Sequence, residues 1–128
     1  MAPPASEAVI VEPPVYQSVV PVAVSEGRKY DNGKSRMALA PAVSMIEVGH
    51  VLAYGAAKYT LGDSPGAANW QKVEGAVARY SDAALRHIYA WLGGERNDPE
   101  TGRHHLAHCI CCCLFILWFE LTGKGNKK

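Results

Sequence analysis

Two helical stripes and one loop carry most of the side chains in this chain that can do chemistry. Glu47, His50, Tyr54 and Lys58 recur at spacings of three, four and four, so a helix would bring them onto one face. Arg79, Asp82, Arg86 and, slightly off axis, Tyr89 share a face of a second helix, with His87 beside it. The segment Glu95-Arg96-Asn97-Asp98 then sets two carboxylates three apart, directly after Gly93-Gly94, and His104, His105 and His108 follow. Hard divalent cations such as Mg2+ and Mn2+ prefer carboxylate oxygens. A pair of such ions needs carboxylates from separate elements, and Glu47, Asp82, Glu95 and Asp98 come from three of them.

Each feature also has a plainer reading. The first stripe reads equally as a solvated face, and Arg79-Asp82-Arg86 as an intrahelical ion-pair ladder. Gly75, Ala76, Ala78, Ala83 and Ala84 suit close helix contact, which places Asp82 near an interhelical seam. Asp98 precedes Pro99 and fits a cap or turn. His105, His108 and Cys112 fall on one face at helical spacing and would suit zinc, although cysteines inside an apolar stripe are ordinarily buried thiols. No His is followed by Asp, which removes the central ligand pair of the His-Asp phosphohydrolases. No Walker-type glycine loop is present either.

The elements that must hold these residues are three helices. The first is expected over Pro41 to Tyr59, with Pro near its first turn. The second is expected over Lys72 to Leu92, ending at Gly93-Gly94, and the third over Arg103 to Leu121, ending at Gly123. The third is apolar nearly all round after His108, so it must be covered on several sides. Three helices alone would leave part of it wet, and a homo-oligomer is the expected remedy. The predicted architecture is therefore an all-α bundle over residues 27–123. It is preceded by a Pro-rich arm, extended or disordered, over 1–26 and followed by a polar tail over 124–128. Gly27 to Arg36 forms a cationic loop around an Asp31-Asn32-Gly33 turn signal.

Composition narrows the function classes. The chain has 128 residues, 48% of them apolar, which suits one globular domain. Its 13 Lys+Arg against 12 Asp+Glu leave a net charge of +1, so no general field draws it to nucleic acid. Four cysteines at 109, 111, 112 and 113 are too close on one helix to pair, which points to a reducing, cytoplasmic setting. The longest apolar run, Cys109 to Phe119, is too short to span a bilayer, and no secretory leader is expected.

Four motifs in fixed order carry a resemblance. They are Gly27-Arg28-Lys29-Tyr30-Asp31-Asn32-Gly33-Lys34-Ser35-Arg36; Tyr54-Gly55-Ala56-Ala57-Lys58-Tyr59 followed by Asn69-Trp70; Tyr80 to His87 with Trp91 and Gly94-Glu95; and Asp98-Pro99-Glu100-Thr101-Gly102 leading into His105-Leu106-Ala107-His108. Over residues 27–121 the chain resembles the phage dATP/dGTP diphosphohydrolase domain family, in particular its MazZ-like members from phages that replace adenine with 2-aminoadenine. That family is similar to the MazG-like all-α nucleoside triphosphate pyrophosphohydrolases. The resemblance implies an oligomer using two or more Mg2+ or Mn2+ ions to hydrolyse a purine deoxynucleoside triphosphate, dGTP first and dATP second, to the monophosphate and pyrophosphate. It implies metal ligands among Glu47, Asp82, Glu95 and Asp98. The usual MazG-like Glu-x-x-Glu and Glu-x-x-Asp pairs are reduced here to the outer residues of Glu47-x-x-His50 and Arg79-x-x-Asp82. Glu95-x-x-Asp98 matches in letters but lies in a loop. Lys34, Arg36, Lys58 and Arg86 are the expected phosphate contacts, and His105 or His108 a proton shuttle. Asn69 and Trp70 are expected at the base, with a core role for Trp70 equally open. The rivals are an inactive nucleotide-binding module and a zinc-stabilised structural bundle.

Overall fold

Helix α1 (Ala42–Lys58) begins where Pro41, with φ −65° and extended ψ, supplies the last non-helical residue. The computed structural model describes residues 26–124, so the expectations for the arm and most of the tail lie outside the described residues. Helix α2 (Ala76–Leu92) starts four residues later than the spacing suggests. Asn69–Lys72 winds as a 3-10 turn, and Gly75 takes a left-handed φ of +64° that breaks the path before Ala76. Helix α3 (His105–Thr122) stops at Gly123, whose left-handed φ of +64° lets its N–H donate to the Phe119 carbonyl.

The chain divides into two compact units, Met1–Leu39 and Ala40–Lys128. In the described part of the first, Lys34 N–H donates to the Asp31 carbonyl across a turn in which Gly33 has φ +77°, followed by a 3-10 turn at Met37–Leu39. The second unit holds the bundle. Helix α3 is its centre and packs most extensively on α2 and also on α1. Val48 and Val51 of α1 close on Ala107 and Cys111 of α3, and the Cys111 thiol donates to the Val48 carbonyl. Burial pushes the Cys111 and Cys112 thiols up to about 11 and about 12, so both are protonated structural groups. Further along α3, Phe115, Trp118 and Phe119 gather round Trp70. By length and composition, α3 as formed is long and apolar enough to cross a membrane, unlike the shorter uninterrupted run within it. It packs on both α1 and α2, and about a third of it is buried.

Candidate metal centre

Helix α2 ends in a Schellman motif. Gly94, at φ +100°, donates to the Trp91 carbonyl, and Glu95 N–H reaches back to the Ala90 carbonyl. The chain thereby turns sharply and releases Glu95 beside the end of α2. It then doubles back: Asp98 N–H donates to the Arg103 carbonyl at 2.8 Å, and His105 N–H to the Arg96 carbonyl at 2.9 Å. The tip is an Asx turn, in which Asp98 Oδ1 accepts from Glu100 N–H at 2.9 Å and Thr101 N–H at 3.1 Å. The imidazole of His104 caps α3 by accepting from Leu106 N–H. The turn reading of Asp98 and its ligand reading are thus compatible, because each needs a different oxygen.

This folding gathers three side chains from three elements. His87 of α2, Asp98 of the loop and His105 of α3 each present one donor atom, all within 4.8 Å of one another. The two Nδ1 atoms of His87 and His105 stand 2.8 Å apart, and Asp98 Oδ2 lies 4.0 Å from His87 Nδ1. His105 is 4% exposed, and its Nε2 meets Glu95 Oε1 at 2.6 Å. His108 stacks on His87 with ring centroids 4.6 Å apart, and its Nε2 pairs with Thr101 Oγ1 at 2.7 Å.

The donor set fits a divalent cation. Metal–nitrogen bonds of about 2.0–2.1 Å put neighbouring donors of one ion roughly 3 Å apart, close to the observed imidazole separation. Asp98 would close by roughly 1 Å to join them. The electrostatics suit the same role. Burial holds His87 below its ordinary pKa, and the neighbouring His108 and His105 add to the effect against the opposing pull of Asp98. Burial likewise lowers His108. Burial alone would raise Asp98, but the N–H groups of Thr101 and Glu100 prevail and hold it below the usual carboxylate range. Neutral imidazoles and an ionised carboxylate are the ligating forms. Two imidazoles with one carboxylate favour manganese, iron or zinc over magnesium.

The expected site residues are placed as follows. Of the four carboxylates, Asp98 is in the cluster and Glu95 is one hydrogen bond behind it. Glu47 accepts from Arg103 at 3.3 Å, and Lys58 donates to Glu100 at 3.0 Å with the Tyr54 hydroxyl on the same carboxylate. The α1 stripe therefore pairs with the segment just after Asp98, at Glu100 and Arg103. Asp82, Arg86 and Asn69 line a separate concavity of ≈ 400 Å³ with Tyr59, Val73, Arg79, Tyr80 and Ala83. Trp70 stacks on Phe115 at 4.4 Å, which is the core alternative. Lys34 and Arg36 belong to the first unit. Of the zinc set, His105 is in the cluster, whereas Cys112 is not part of it. His87 is the donor that spacing did not single out. Its signal was present, since Ala76, Tyr80, Ala84 and His87 form the inner stripe of α2, and a histidine there faces the head of the next helix.

The fold is an all-α bundle, with a cluster of two histidines and a carboxylate that could hold a metal ion at the junction of two helices. The model of the dATP/dGTP diphosphohydrolase N-terminal family matches residues 24–128, and the chain belongs to that family. A curated relative, a dATP/dGTP diphosphohydrolase of Salmonella phage PMBT28, is 38% identical over 92 residues, covering 72% of this chain and 29% of the relative. The chain thus spans under a third of that protein's length. No solved structure matches it.

Proposed function

We propose that this chain is the helical domain of a metal-dependent hydrolase that cleaves a purine deoxynucleoside triphosphate, dGTP first and dATP second, to the monophosphate and pyrophosphate. The observation that carries the reading is the convergence of His87, Asp98 and His105 within 4.8 Å, in a chain whose family is described by that diphosphohydrolase activity. His87, Asp98 and His105 would hold a divalent cation, Mn2+ ahead of Mg2+, which would supply polarisation of a phosphate oxygen and a lowered pKa for a nearby water. Water oxygen bonds to the α-phosphorus as the bond to the bridging oxygen breaks and pyrophosphate leaves, and the water's proton passes to a base, the role proposed for His108. The concavity beside Arg79 and Arg86 receives the substrate, with the guanidiniums on phosphate oxygens and Asn69 on a polar edge. Arg86 directly precedes His87 on α2, which links that concavity to the cluster. Lys58 is available to phosphate by exchange with Glu100. Glu47 holds Arg103 in position.

The setting proposed is the cytoplasm of a phage-infected cell, in nucleotide metabolism linked to 2-aminoadenine. The chain acts there as a homo-oligomer, without membrane insertion or direct nucleic-acid binding. Incubating each deoxynucleoside triphosphate with the protein and Mn2+ or Mg2+, followed by phosphorus NMR, tests the reaction. Pyrophosphate from dGTP or dATP is expected. Orthophosphate as the primary product, or no turnover of any purine triphosphate, overturns it.

A further inference from the structure

The structure assigns Glu95 a positioning role: its carboxylate fixes the tautomer of His105, so that His105 presents an unprotonated Nδ1 to His87 and Asp98. The inference rests on the metal reading above and deepens it. A neutral imidazole carries its proton on one nitrogen only. Glu95 Oε1 lies 2.6 Å from His105 Nε2, and an ionised carboxylate can only accept there. The proton is therefore drawn to Nε2, and the lone pair is left on Nδ1, the atom 2.8 Å from His87 Nδ1. In the metal-free protein His87 donates its Nδ1 proton into that lone pair. With its own proton on Nε2, His87 would offer its Nδ1 beside that of His105 to a cation.

The placement of Glu95 opposes direct ligation. It binds the far side of the ring from the cluster, and its side chain is 55% exposed against 5% for that of His105. The Schellman turn at Gly94 fixes the Glu95 main chain beside the end of α2, within side-chain reach of His105. A carboxylate paired to one ring nitrogen orients the imidazole and makes the other nitrogen the better ligand.

The test uses the intact chain with manganese(II) as the probe. Long-range proton–nitrogen NMR of the metal-free parent is expected to show His105 protonated at Nε2. Glu95→Ala should populate the Nδ1-protonated form and weaken manganese binding about 10–100-fold, the range typical of losing such an outer partner. Glu95→Gln keeps a carbonyl acceptor without the charge, and should retain the Nε2 tautomer with affinity between the two. His105→Ala should remove binding at this site. His105 protonated at Nδ1 in the parent overturns the inference, as does parent-like affinity in Glu95→Ala. Binding lost as completely in Glu95→Gln as in His105→Ala would make Glu95 a ligand and overturn it too. Failure of the parent to bind any metal strikes the metal reading itself. The NMR comparison would then still decide whether Glu95 governs His105.

Discussion

Asp98 divides its work between two oxygens. Oδ1 closes the Asx turn, while Oδ2 faces His87. The consequence is a clean substitution. Asparagine keeps a carbonyl that can accept the same two N–H bonds but lacks the charge. Asp98→Asn should therefore fold normally, with its melting temperature little changed in chelator. It should also lose manganese-dependent stabilisation and at least roughly a hundredfold in turnover, the scale of deleting one electrostatic element of an active site. Asp82→Asn is the counterpart, since Asp82 lines the concavity and is outside the cluster. It should keep the manganese-dependent shift in melting temperature. Loss of that shift in Asp82→Asn, with Asp98→Asn unaffected, would move the ligand set to the carboxylates of the helical stripes.

At the scale of elements, the connections carry as much of the site as the helices do. Gly66 shows how one is fixed. Its N–H donates to Thr60 Oγ1, and a Cβ there would collide with the Ala56 carbonyl and come within 2.6 Å of Thr60 N. Backbone cannot yield cheaply, so Gly66→Ala should cost about 1–3 kcal/mol, the usual scale of overpacking, read as a lower melting temperature. An unchanged melting temperature would mean that this connection is not docked on the end of α1. The helices themselves were legible because apolar period, Pro41, Gly93-Gly94 and Gly123 all act locally. The start of α2 was not, because Lys72 is a competent helix former, and the path is interrupted by an extended Val73 and a left-handed Gly75. The site was legible in part for the same reason. Glu95, Asp98, His105 and His108 lie close in sequence, whereas His87 joins them through the pairing of α2 with α3, which no local spacing encodes. Glu47 and Lys58 form a stripe in the sequence, but their partners Arg103 and Glu100 are set by tertiary packing.

At the scale of the whole molecule, α3 is still incompletely covered. Ile110, Leu114, Leu117 and Leu121 recur at spacings of four, three and four and are all exposed, Leu121 by 77%. A row of that spacing suits a helical partner, and a second copy of this chain would carry the same row. Sedimentation should report a dimer or tetramer at micromolar protein, shifted towards monomer by Leu117→Glu. A monomeric parent would contradict self-association through this face. Such an interface would lie along the later turns of α3, with the cluster at its head.

The central claim, a metal held by histidines at the α2–α3 junction, has a direct spectroscopic readout. Manganese(II) bound to the parent, studied by pulsed electron paramagnetic resonance, should show modulation from directly coordinated imidazole nitrogen, and His87→Ala should diminish it. Tightly bound manganese with oxygen ligands alone, or no binding at all, would contradict the assignment of His87, Asp98 and His105 as the metal centre.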